Sequence, residues 1–94
     1  MRPEIEAETS LNTLYDELYG GGADQLEVRE VSKISYRITL KEKAKHKLIS
    51  GKLVDQWIDG DLKGANSAKQ EIQKIFEELR GAWRMEKRKK PTKR

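Results

Sequence analysis

Apolar residues change their spacing twice along this chain, and that change restricts the fold to a mixture of helix and strand. Ala7, Leu11, Leu14, Tyr15 and Leu18 recur every three or four residues, the spacing of one helical face. Pro3 suits the first turn of that helix, and Glu4, Glu6 and Glu8 favour the positive end of its dipole. Gly20-Gly21-Gly22 stops it, so a helix is predicted over residues 4–19. From Leu26 the period becomes two. Leu26 and Val28, then Ile34, Tyr36, Ile38 and Leu40, alternate with polar side chains. Two strands, 26–31 and 34–40, with a break near Ser32-Lys33 fit this stretch; one long bulged strand is the rival.

Helical spacing then returns. Thr39 and Glu42 match a capping box, which predicts a helix from about residue 40. Its face would carry Ala44, Leu48, Ile49, Leu53, Val54, Trp57 and Ile58, interrupted at Ser50-Gly51. A loop follows at residues 59–64. Ser67 and Gln70 form a second capping box ahead of Ala68, Ile72, Ile75, Phe76, Leu79 and Trp83. The expected architecture is α+β: an N-terminal helix, two short strands, and two longer C-terminal helices packed on them. Residues 1–83 form one domain, and residues 84–94 a basic disordered tail. Two strands alone make a marginal sheet, so pairing between subunits, as a homodimer, is expected.

The 94 residues suit a single domain with a modest core. The chain has no cysteine, which excludes a disulfide framework and a thiolate zinc site and suits the cytoplasm. No apolar run approaches the roughly 18 residues of a membrane span. The opening Arg2-Pro3-Glu4-Ile5-Glu6 lacks the apolar centre of a signal peptide.

Charge is segregated. Residues 1–30 carry a net −6, residues 31–65 a net +4, residues 66–83 none, and residues 84–94 a net +6. Such blocks mark an interaction segment. Catalytic patterns are missing: there is no nucleophile elbow, phosphate loop, dinucleotide fingerprint or zinc pattern. His46, the only histidine, sits among Lys43, Lys45 and Lys47 and reads as an exposed helical residue. Asp59-Gly60-Asp61-Leu62-Lys63-Gly64 begins like a calcium loop. Lys63, however, occupies a ligand position, and Gln70 replaces the closing carboxylate. The expectation is therefore a non-enzymatic protein with no cofactor and no metal.

Nucleic acid, DNA or RNA, is the leading expected partner. The tail residues Arg84, Lys87, Arg88, Lys89, Lys90, Lys93 and Arg94 can neutralise phosphates. A second positive cluster lies around Lys33, Arg37, Lys41, Lys43, Lys45, Lys47 and Lys52, and from this region Lys33, Arg37, Lys41 and Lys45, with the neutral Thr39, are the candidate contacts. Ser35, Arg37 and Thr39 share the strand face opposite Ile34, Tyr36, Ile38 and Leu40, and strands that present such residues can enter a groove. Trp57 and Trp83 read as core or dimer contacts, with base stacking the alternative for Trp83 beside Arg84. In order and alternation, residues 34–83 resemble the ribbon-helix-helix repressors. The long helix after the strand and the extra N-terminal elements depart from that family's pattern. A protein-interaction module, using the acidic N-terminal helix with Tyr15 and Tyr19, is the alternative function. A membrane-surface role for the tail ranks third, because no apolar anchor follows Met85.

Overall fold

The first helix, α1 (Glu4–Tyr19), begins directly after Pro3 and ends where Gly20 adopts φ 77°. A side chain is strained at that angle, and glycine is not. Gly20 donates its N–H to the Asp16 carbonyl at 2.8 Å and closes the last turn. Ala7, Leu11, Leu14 and Tyr15 are buried, as their spacing requires. In this computed structural model, which describes residues 1–81, three strands and two helices follow. They are β1 (Leu26–Glu30), β2 (Ser35–Leu40), β3 (Lys45–Ser50), α2 (Gly51–Asp59) and α3 (Leu62–Arg80). Trp83 and the basic segment 84–94 lie outside the described residues.

The strands form one antiparallel sheet in the order β1-β2-β3. β1 and β2 are a hairpin, with Val28 opposite Ile38 and Arg29 opposite Arg37. Ser32 organises its turn: the hydroxyl accepts from the Ile34 N–H at 3.2 Å and lies 2.8 Å from the Ser35 hydroxyl. The rival single long strand is therefore excluded.

The long helix expected from residue 40 does not form. Thr39 lies inside β2, residues 41–44 turn, and residues 45–50 are the third strand. His46 is thus a strand residue, exposed but not helical. Ala44 closes this hairpin with φ 54°. A turn of this kind usually carries glycine or asparagine at its left-handed position, and alanine conceals it. Within β3, Ile49 is buried while Leu48 is 61% exposed. Two adjacent apolar residues that look like one helical face thus point to opposite faces of a sheet. The likeness to strand, helix, helix repressors ends here, because a third strand stands where the first of those helices was expected. That strand also supplies, within one chain, the pairing for which a second subunit was invoked.

Ser50-Gly51 is a helix start. The Ser50 hydroxyl accepts from the Lys52 N–H at 3.1 Å, and α2 continues from Gly51. α3 begins at Leu62, ahead of the expected residue 67, because Asp61 is its cap and accepts from the Gly64 N–H at 2.7 Å. The calcium-like run is therefore mostly helix, with the Asp61 carboxylate holding backbone. The helix ends on Gly81 in the left-handed conformation, with Arg80 in its last turn.

The helices cover one face of the sheet. Leu11, Leu14 and Tyr15 of α1 and Val54 of α2 enter a single core with Ile72, Phe76 and Leu79 of α3. That core also takes in Leu26, Val28, Tyr36, Ile38, Leu40 and Ile49 of the sheet. The Tyr15 ring meets Phe76 edge-on at 5.2 Å between centroids. Trp57 is half-buried against this core. No helix among the described residues is long and apolar enough to cross a membrane.

α1 also seals the outer edge of β1. The Asn12 side chain bonds both the N–H of Leu26, at 2.8 Å, and its carbonyl, at 3.0 Å. Glu8 accepts from the Val28 N–H at 3.2 Å, and Glu4 from the Glu30 N–H at 2.6 Å. The match is geometric. Four helical residues advance about 6 Å and two strand residues about 6.6 Å, so positions i, i+4 and i+8 of the helix meet alternate residues of the strand.

Candidate nucleic-acid interface

The face of the sheet away from the helices has no covering element among the described residues. Strand alternation decides what it shows. Core residues of β2 point one way, so Ser35, Arg37 and Thr39 point the other, as their sequence positions predict. The register then sets their neighbours. Arg37 lies between Arg29 of β1 and Leu48 of β3, Thr39 between Glu27 and His46, and Ser35 beside Ser50.

Arg29 and Arg37 are therefore direct cross-strand partners. Like charges in this position repel, with Cα atoms about 5.5 Å apart in a hydrogen-bonded pair. Arg29 finds relief on its own strand, where its guanidinium bonds Glu27 at 2.9 Å. That bond holds the Glu27 carboxyl below its ordinary range and raises the Arg29 guanidinium. Arg37 is exposed and forms no ion pair among the described residues. The centre of the open face is thus an unpaired guanidinium, with a second one beside it and the hydroxyls of Ser35, Thr39 and Ser50 around it. Among the described residues the one aromatic ring beside them is the exposed imidazole of His46, next to Thr39, while Tyr36 points into the core. The face can hold anions, phosphates above all, and among the described residues it offers no Phe, Tyr or Trp ring for base stacking, only the His46 imidazole.

The remaining expected site residues scatter. Lys33 is exposed at the tip of the β1–β2 turn. Lys41, at the opposite end of the sheet, bonds Asp24 at 2.8 Å, which raises its pKa. Lys45 opens β3 near the C-terminal end of α3, where neighbouring Lys43 donates to the Arg80 carbonyl at 2.8 Å. Lys47 is paired with Glu78. Residues Arg84, Lys87, Arg88, Lys89, Lys90, Lys93 and Arg94 lie outside the described residues. Comparison with protein-family models, with curated proteins and with solved structures finds no match.

Arg29 is the residue that sequence reasoning missed. It lies in the acidic N-terminal third, where net charge conceals it. The alternation of Leu26 and Val28 already places it on the outward face, but only the hairpin register sets it opposite Arg37. The acidic residues, conversely, are largely committed to structure. Glu4 and Glu8 hold β1, Glu6 pairs with Arg2 at 2.9 Å, and Asp16 accepts from the Gly22 N–H at 2.8 Å.

Proposed function

We propose that this protein is a non-catalytic nucleic-acid-binding protein that lays the open face of its sheet, together with its basic C-terminal segment, against phosphates. The observation that carries the reading is Arg37: exposed, without an acidic partner among the described residues, and opposite a second arginine on an uncovered face. Nothing in the folding of the sheet calls for two arginines side by side, and their repulsion is a cost. A bound phosphate removes that cost and converts it into affinity.

The breadth of the sheet favours one manner of contact. A two-stranded ribbon fits a major groove about 12 Å wide, but three strands flanked by α1 are too broad. Arg37 therefore meets the sugar-phosphate backbone in this proposal, and the base reading expected from a single exposed strand is set aside. Contacts of this kind strengthen binding to every sequence alike.

The test is a salt titration of wild-type and Arg37→Ala proteins on duplex DNA, duplex RNA and a single strand. The variant should bind all three more weakly, and its log–log salt slope on duplex DNA should flatten by about 1. Identical affinities and slopes for the two proteins on every probe would remove the open face from the reading.

A further inference from the structure

We propose that the free edge of β3 accepts an extended acidic segment of a partner protein as a fourth strand of the sheet. The two edges of the sheet are treated differently. On β1, Asn12, Glu8 and Glu4 occupy the outward N–H groups of Leu26, Val28 and Glu30, and Asn12 also takes the Leu26 carbonyl. On β3, the phase of pairing is set by the Gly51 N–H, which bonds the Ile34 carbonyl at 2.8 Å. Counting back by twos, Ile49, Lys47 and Lys45 face β2, so His46 and Leu48 direct their N–H and C=O groups outward. No described residue bonds those groups. Both residues are exposed, and Leu48 is the large apolar group on this side of the sheet.

Side chains choose the occupant. Lys45 and Lys47 alternate with the two outward residues, and Lys43 and Lys52 stand at the ends of the strand. Glu78 answers Lys47, whereas Lys45 forms no ion pair among the described residues. Lysine on an edge repels an incoming strand that brings no counter-charge. A second copy of β3 is such a strand. Paired antiparallel about Leu48, it would place Lys47 opposite Ile49 and Lys45 opposite Gly51, adding cations and no acid. A segment with carboxylates opposite Lys45 and Lys47 and an apolar residue opposite Leu48 meets every requirement. In the antiparallel sense it reads apolar, acidic, any, acidic.

The probe is a synthetic peptide, Thr-Val-Leu-Glu-Thr-Glu-Val-Thr, titrated into isotopically labelled full-length protein. The His46 and Leu48 amides should shift and become protected from hydrogen exchange, while those of Val28 and Glu30 stay unchanged. A peptide with lysine in place of both glutamates should not bind. Lys45→Glu, at an exposed position, should weaken the acidic peptide by about tenfold and admit the lysine peptide. Leu48→Pro should abolish binding, since it removes only an outward N–H and leaves the ladder to β2 whole. Arg37→Ala should bind the peptide like wild type, which keeps this test separate from that of the nucleic-acid face. No change at His46 and Leu48 with millimolar acidic peptide, or equal binding of the lysine peptide, overturns the proposal. So does a sedimentation mass of two chains that Leu48→Pro returns to one, because the edge would then belong to a second copy.

Discussion

Asn12 shows how much one polar side chain can settle. It is 3% exposed and uses both ends of its amide. The nitrogen donates to the Glu8 and Leu26 carbonyls, and the oxygen accepts from the Gln25 and Leu26 N–H groups. Asn12→Ala leaves buried backbone of Leu26 without partners. The expected loss is about 2–4 kcal/mol, read as a lower urea midpoint with an unchanged slope. Two tyrosines set the alkaline limit. Burial raises the Tyr19 hydroxyl above its ordinary value, helped by its bond to Glu77 at 2.8 Å, and burial likewise raises Tyr36. Unfolded tyrosines release their protons near pH 10, while the folded ones still hold theirs. Above about pH 10 the native state therefore binds more protons, and stability falls as pH rises. The urea midpoint should drop between about pH 9 and pH 11, and drop less in Tyr19→Phe.

At the scale of elements, the hairpin of β2 and β3 controls the fold of the middle of the chain. Its turn holds Ala44 at φ 54°, a conformation that costs a non-glycine residue about 1 kcal/mol or more. Ala44→Gly should therefore stabilise the protein by about 0.5–1 kcal/mol, the relief of strain exceeding the added freedom of the unfolded chain. Chemical denaturation measures the gain. A continuous helix through residue 44 would lose stability on the same substitution, because glycine is a poor helix former. The sign of the change thus distinguishes the two structures. The α1–β1 contact is the other deciding element. By placing carboxylates and an amide along one strand edge, it leaves β3 as the edge open to a partner.

Across the whole molecule, charge is segregated along the chain but mixed by side, since Lys45 and Lys47 share the core side of the sheet and Glu27 the open one. The acidic helix α1 lies on the core side of the sheet, and Arg29 and Arg37 on the other. In the proposed function, a polyanion meets the open face at this arginine pair. The segment 84–94, with seven basic residues and one acidic, follows the end of α3. Deleting it should weaken binding to all nucleic acids alike. If about five of its charges meet phosphates, the salt slope on a duplex should flatten by roughly 4 to 5. Thermal unfolding should change little, since every residue of the described core precedes Gly81. Unchanged binding and slope after the deletion would transfer the segment to a protein partner.

Elements whose apolar pattern has one reading are legible before any fold is known. Ala7 to Leu18 can only be a helical stripe, Tyr36-Ile38-Leu40 only a strand face, and Ile72-Phe76-Leu79 only a second helical stripe. Local chemistry also marked the stop at Gly20. Arg37 and Thr39 were legible as outward residues for the same reason. Tertiary structure decided residues 40–50. There Leu48-Ile49 suits a helix as well as a strand, and the turn lacks glycine. Only pairing with β2 and burial of Ile49 against the core choose between the two. The Arg29–Arg37 pair and the open edge of β3 belong to the same class. Each depends on which strand lies beside which, and that is set by contacts between distant residues, which no local pattern in the chain encodes.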